Sequence, residues 1–246
     1  MSVSKPWELY YWPDIQGRGE FIRLALEEAG IDYVDVARSH KDGISSLVAA
    51  LEAENIERPP FAAPFLRAAD LLIGQTANIL MFIGSRTALA PTDEAGRLWA
   101  HQLQLTIADF VQEIHDTHHP IGGGLFYEDQ KKEARRRAAD FLENRAPKYL
   151  GYFHQVLKRN KAGSEYLIGP SLTYPDLSLF QIVAGLRYAF PRAMTREAKR
   201  HPLVWKLHDR VASRPRVAAY LASDRRIAFN QEGIFRHYRE LDTQSR

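Results

Sequence analysis

Pro64-Phe65-Leu66-Arg67-Ala68-Ala69-Asp70-Leu71-Leu72-Ile73-Gly74-Gln75-Thr76 opens an apolar run with a proline, which has no amide hydrogen to give a β-ladder. A residue that cannot serve the sheet there serves something else. A cis-proline at the entry of such a strand turns the preceding backbone outward. The amide and carbonyl of Ala63 are then left to pair with a peptide ligand as a neighbouring strand would. An ordinary trans-proline at a strand start is the alternative. Eleven residues beyond Pro64, Gln75 and Thr76 head the helical pattern Thr-Ala-Asn-Ile-Leu-Met-Phe-Ile-Gly of residues 76–84. The unpaired amides and positive dipole end of a helix start favour a carboxylate there. Thr76 alone reads as an N-cap; the spacing to Pro64 is what makes the pair specific.

Working outward, residues 8–12 (ELYYW) read as a strand, 19–30 (GEFIRLALEEAG) as an amphipathic helix closed by Gly30, and 32–37 (DYVDVA) as a second strand. Residues 44–55 read as a helix, and the runs 64–67 and 71–73 as paired strands before the closing helix. The order is βαβ then ββα, a small mixed sheet flanked by helices, over residues 1–84. Pattern is lost over 85–92, which holds Pro91 and is read as a linker. Residues 93–224 are helical throughout by period, with Leu103, Ile107, Phe110 and Ile114 forming one stripe and a kink expected near Pro147. Residues 225–246 are left as a C-terminal tail.

A chain of 246 residues accommodates two such domains, each with its own core. It contains no cysteine, so there is no disulfide framework, thiolate metal site or cysteine nucleophile, and any thiol chemistry borrows its sulfur from a ligand. The formal charge of +3 is too small to argue a nucleic-acid partner, and the basic run from Lys131 to Arg137 reads as a solvated helix face. No apolar stretch reaches membrane-spanning length and the N-terminus lacks a signal-peptide core, so the expectation is a cytoplasmic protein with no membrane partner.

Ala63-Pro64-Phe65-Leu66 followed by Gln75-Thr76-Ala77 resembles the glutathione-binding signature of the cytosolic glutathione transferases. The opening ELYYWPDIQGRGEFIRLALEEAG is similar to that of their tyrosine-type mu, pi, alpha and sigma classes. The resemblance implies a thioredoxin-like domain followed by a helical bundle, glutathione as co-substrate, and conjugation of its thiolate to small hydrophobic electrophiles in detoxification. It makes Tyr11 the catalytic tyrosine. The turn after it holds one residue more than the family spacing, with Pro13 as the insertion, which keeps Tyr10 as the alternative. Glutathione contacts are implied for Trp12, Arg18, Lys41, Ala63, Pro64, Gln75, Thr76, and Asp109 or Glu113. The last pair stands for an acidic residue that, in related classes, crosses a homodimer interface. Arg38 and His40 lie beside Lys41, and Phe61 resembles in position an aromatic key between subunits. The segment YLIGPSLTYPDLSLF is similar to the family's capping box, with Thr173 as cap and Asp176 as its partner, a folding element.

Phe126 and Tyr127, after Gly122-Gly123-Gly124, are expected to line the second-substrate pocket. Of the triplet His115, His118 and His119, the first and last share a helix face, but no glutamate completes a zinc motif and Pro120 follows at once. They are read as partners of the helix's negative end rather than as metal ligands. A glutathione-dependent isomerase or peroxidase would use the same thiolate. A non-catalytic ligand- or protein-binding module of this fold is the remaining alternative.

Overall fold

The computed structural model describes residues 6–242; residues 1–5 of the expected first domain and 243–246 of the tail lie outside them. The sheet comprises β1 (Trp7–Tyr10), β2 (Tyr33–Asp35), β3 (Phe65–Ala68) and β4 (Leu71–Gly74) in the order β2-β1-β3-β4. β1 runs parallel to β2 and antiparallel to β3, and β3 pairs antiparallel with β4. Helices α1 (Gly19–Ala29) and α4 (Thr76–Gly84) pack with Leu9 and Leu66 in one core. The short α2 (Val36–Ser39) and α3 (Gly43–Glu52) supply Val36, Ala37 and Leu47 to a second core with Tyr10 and Phe65. The strand expected at 32–37 is therefore cut to three residues. β1 also stops one residue before Tyr11. In the antiparallel register Tyr10 faces Phe65, so the next pair would be Tyr11 with Pro64, which has no hydrogen to donate.

The second domain is helical among the described residues: α5 (Glu94–Asp116), α6 (Lys131–Asp140), α7 (Ala146–Arg159), α8 (Tyr174–Ala189), α9 (Pro191–Arg200), α10 (Pro202–Ala212) and α11 (Pro215–Leu221). The kink expected near Pro147 is a π-helical turn over Phe141–Arg145, with Pro147 in the first turn of α7 where a missing amide costs nothing. α8 is buried on nearly all sides, at the centre of the domain. Its start is fixed by the Thr173 and Asp176 capping box: Asp176 Oδ2 accepts from the Thr173 amide (2.7 Å) and from its hydroxyl (2.6 Å). Asp176 Oδ1 also takes the Leu167 amide at 2.7 Å, so one buried carboxylate ties the preceding loop to the helix.

The tail is not an appendage. Residues 225–242 fold back over the helical domain. Phe235 lies so close to Gly185 that a side chain there would meet its ring, and Asp242 accepts the Arg192 and Ala193 amides at the start of α9 (2.8 and 3.1 Å). Further along, Arg226 reaches Glu20 and Gln181, and Gln181 donates to Gln16 at 2.7 Å. Glu20 also accepts from Tyr220 at 2.6 Å and pairs with Arg23, which donates to Asp35 at 2.7 Å. This buried chain of charges and amides joins the sheet domain, the last helix and the tail. Removing one member strands its partners away from water, which costs several kcal/mol on the order of 3–5.

Candidate functional site

Register brings the expected site together. The C-terminal end of β1, the start of β3 and the end of β4 lie side by side, because Tyr10 faces Phe65 and Phe65 faces Gly74. Tyr11, Pro64 and Gln75 each follow or precede that line by one residue, so all three leave the sheet at the same edge. The Ala63–Pro64 peptide bond is cis, and Ala63 stands outside the ladder, which begins at Phe65.

The two tyrosines separate clearly. Tyr10 stacks on Phe65 (4.5 Å between rings) in the second core and donates its hydroxyl to Glu8 at 2.8 Å. Tyr11 is buried beneath the turn that opens α1, with its ring against Gly19 and its hydroxyl against Gly17. Gly17 has φ +46 and no room for a Cβ, which would fall within the Tyr11 hydroxyl, so only glycine closes the turn over this side chain. The hydroxyl accepts the Arg18 amide at 2.9 Å, which leaves its own hydrogen unspent. Burial pushes its pKa above the ordinary tyrosine value, partly offset by the Arg18 amide and the charges of Arg18 and Arg23, so it is a neutral donor at pH 7.

Helix α4 begins at Thr76, and no side chain caps it. Gln75 before it holds φ +67, a left-handed conformation that a non-glycine residue adopts only under constraint. The Thr76 hydroxyl is buried and has no hydrogen-bond partner. It lines a small cavity of about 30 Å³ with Arg18, Phe21, Gln104 and the α5 residues Ile107 and Val111. Gln104 Oε1 is likewise buried and unpartnered. A donor, an acceptor and a guanidinium thus converge with hydrogen-bonding capacity unspent, at a helix N-terminus. Gln104 is absent from the sequence-based set. Its signal was a polar residue inside the apolar stripe of α5, between Leu103 and Ile107.

Arg18 reaches outward from this cavity, and the remaining expected residues fall elsewhere. Arg18 spans the domain cleft, donating to Gln112 at 2.8 Å, which in turn donates to Asp116 at 2.8 Å. Trp12 is 40% exposed beside the turn. Lys41 and His40 are exposed before α3, and Lys41 enters no ion pair among the described residues. Arg38 is spent on the tail, donating to the Arg225 and Asp224 carbonyls (2.6 and 3.3 Å). Glu113 is held inside its own chain by Arg145 (2.7 Å), Arg137 (3.3 Å) and Tyr149 (2.9 Å). These donors hold its carboxyl below the usual range against the opposing effect of desolvation. Asp109 is exposed and unpaired among the described residues, so of the two acids it is the one with an open face.

Two expectations for the segment that follows α5 need correction. Phe126 is 77% exposed, but Tyr127 is buried, stacked on Tyr238 at 3.7 Å with its hydroxyl donated to Glu240 at 3.1 Å. Tyr127 anchors the tail. His118 and His119 are buried as well, and His118 Nε2 meets the Ile234 carbonyl at 2.8 Å. Desolvation pushes His118 down to about 2 and His119 to about 4, so both rings are neutral and neither serves as a cationic partner of the helix end. Among the described residues no group of three His, Cys, Asp or Glu side chains is arranged to hold a metal ion.

A family model described as "Glutathione S-transferase, C-terminal domain" matches residues 115–224. The chain is 25% identical to a glutathione S-transferase of Plasmodium falciparum, over 87% of this chain and 94% of that one. To Glutathione S-transferase P 1 of Xenopus laevis it is 24% identical, over 89% and 92%. Among solved structures, a Pi-class glutathione S-transferase of Onchocerca volvulus superposes with a TM-score of 0.68 at 21% identity, covering 88% of this chain and 92% of that one. The prostaglandin synthase D of Nilaparvata lugens does so with a TM-score of 0.67 at 18% identity, over 88% and 97%. These structures share the fold: a thioredoxin-like domain followed by a helical one.

Proposed function

We propose that this chain, a member of the glutathione transferase family, binds glutathione at the sheet edge and transfers its sulfur to small apolar electrophiles. The observation that carries the reading is the Tyr11 hydroxyl, buried, neutral and already accepting the Arg18 amide, with one hydrogen left to give. Donated to the glutathione sulfur, that hydrogen stabilises the thiolate over the thiol. The thiol proton leaves to solvent, the sulfur forms a bond to the electrophilic carbon, and the leaving group departs with its electron pair. A free thiol of pKa about 8.5 is only about 1% thiolate at pH 6.5, and the thiolate is the nucleophile.

The rest of the tripeptide follows the groups left unspent. The Ala63 backbone pairs with the cysteinyl backbone as an added strand. The Thr76 hydroxyl and the uncapped start of α4 take the γ-glutamyl carboxylate, with Gln75 and the buried Gln104 beside it. Lys41 and Trp12 face the glycyl end. Asp109 serves the γ-glutamyl ammonium across a homodimer, while Glu113 stays a structural ion pair. Phe126 provides exposed apolar surface toward the electrophile, and cytoplasmic residence fits a chain with no membrane-length apolar helix among the described residues. Retention on immobilised glutathione, followed by turnover of an aryl halide, an organic hydroperoxide and an unsaturated carbonyl, tests the reading. Failure to bind glutathione refutes it, and turnover of the hydroperoxide alone transfers the chemistry to a peroxidase.

A further inference from the structure

The turn between β1 and α1 is held from outside itself. Gln16 stands in it, one residue before the Gly17-Arg18 pair that covers the Tyr11 hydroxyl. Its side chain is buried, and both ends of its amide are committed to elements distant in sequence. The oxygen accepts from Gln181 Nε2 of α8 at 2.7 Å, and the nitrogen donates to the Ile227 carbonyl of the tail. Gln181 is itself fully buried and is fixed in turn by Arg226, which donates to its oxygen at 2.9 Å. Two residues before Gln16, the Asp14 carbonyl accepts from Asn230 Nδ2 at 2.7 Å, while Asn230 Oδ1 takes the Glu232 and Gly233 amides (3.0 and 3.2 Å). From α1, the buried Arg23 guanidinium reaches the Ile15 and Gln16 carbonyls, both at 3.4 Å.

The place of these ties matters more than their number. A tyrosine hydroxyl has one hydrogen and two lone pairs, and the Arg18 amide at 2.9 Å takes one of the pairs. That bond limits the directions in which the hydroxyl hydrogen can point. It weakens steeply once donor and acceptor lose their alignment. Between Gln16 and Arg18 lies only Gly17, held at φ +46 with no side chain to brace its peptide. The nearest buried side chain before that glycine is Gln16, since Trp12 and Asp14 are exposed and Pro13 and Ile15 are half-buried. A buried amide bonded at both ends is a fixed strut, and this one ends beside the peptide that the Tyr11 hydroxyl depends on.

We propose that Gln16 is a positioning residue for the thiolate chemistry: clamped between Gln181 and the Ile227 carbonyl, it holds the Gly17–Arg18 peptide on the Tyr11 hydroxyl and so aims that hydroxyl's hydrogen at the glutathione sulfur. The inference rests on the proposed transferase reading and deepens it. Gln16 acts only through the turn, and no proton or sulfur passes through its amide. Asn230 supports the same turn from its Asp14 end.

The test is Gln16→Met in the full chain, which keeps the length of the side chain and removes both hydrogen bonds. Ultraviolet titration of bound glutathione should show the thiol pKa about one unit higher. From a wild-type value about two units below the free 8.5, the thiolate fraction at pH 6.5 then falls about five-fold. The acid limb of kcat/KM should move with it while the alkaline plateau stays. The dissociation constant of S-hexylglutathione, which has no free thiol, should hold. In a Tyr11→Phe background the same substitution should leave the thiol pKa where Tyr11→Phe alone puts it, because the two residues act in series. Asn230→Asp removes the donor to Asp14 and keeps Oδ1 for the Glu232 and Gly233 amides, so it gives a smaller shift of the same sign even where Gln16→Met folds poorly. A melting temperature that falls in both variants with the thiol pKa at its wild-type value makes Gln16 a purely structural residue and overturns the proposal. A shift that adds in full to that of Tyr11→Phe overturns it too. If Tyr11→Phe moves the pKa and Gln16→Met does not, the positioning role fails by itself; if Tyr11→Phe moves nothing, the tyrosine mechanism fails and takes the positioning role with it.

Discussion

Replacing Tyr11 with phenylalanine removes one oxygen from the centre of the proposed mechanism. The ring stays packed against Gly19, and the ligand's carboxylates are held elsewhere, so glutathione affinity should change little. Two costs follow. The Arg18 amide, which donates to that oxygen at 2.9 Å, loses its partner, and an unsatisfied donor of this kind costs about 1–3 kcal/mol of stability. The bound sulfur loses its donor, and its pKa rises toward the free value of about 8.5. If wild type holds the bound thiol about two units lower, the thiolate fraction at pH 6.5 falls about fifty-fold, and the shift equals about 2.7 kcal/mol. The sign fixes the shape of the result: a raised thiol pKa moves the acid limb of kcat/KM to higher pH, and turnover recovers in alkaline buffer. The assay is a pH profile of kcat/KM beside ultraviolet titration of the bound thiolate. Tyr10→Phe is the control, since its hydroxyl is committed to Glu8 at 2.8 Å. A Tyr11→Phe enzyme with the wild-type profile refutes the assignment, and loss confined to Tyr10→Phe reverses it.

Thr76→Val should weaken glutathione binding by about 1.5–3 kcal/mol in calorimetry without lowering the melting temperature, because its hydroxyl has no partner in the free protein. Asp176→Ala leaves the Leu167 and Thr173 amides unpaired at the start of α8, and chemical denaturation should show a loss of about 2–4 kcal/mol while the remaining folded enzyme keeps its turnover. Phe61 is 96% exposed, and exposed Leu98 and Leu105 lie on α5. Sedimentation at micromolar concentration should therefore show a dimer that Phe61→Ser converts to monomer with little change in melting temperature. Glu113 has a folded pKa below its unfolded one, so its pairing contributes stability above the unfolded value of about 4.3 and loses it as pH falls through the folded value. Glu113→Gln should flatten that part of the acid limb of a pH–stability curve, and an unchanged limb would mean the ion pair contributes nothing.

Local chemistry was enough to read most of the sheet domain, though not the helix α2 that takes over from β2 at Val36. Proline at the mouth of a strand, glycine past the end of α1 and the 76–84 helix are each decided within a few residues, by a missing hydrogen, a positive φ or a period of 3.6. The different surroundings of Tyr11 and Tyr10 were only half legible. Sequence put both at the end of one strand, and it took the β1–β3 register, in which Pro64 ends the ladder, to send Tyr11 beneath the Arg18 turn while Tyr10 stayed in the second core. Glu113 and Asp109 looked alike along one helix, and only the packing of Arg145 and Tyr149 against α5 took Glu113 out of the open face. Tyr127 and His118 were misread, and the packing of the tail went unforeseen, for the same reason. Their partners Tyr238, Ile234 and Glu20 are distant in sequence, and neither composition nor periodicity carries information about a contact closed across more than a hundred residues. Helical and strand periods specify which side of an element is apolar; which element covers that side is settled by the packed chain.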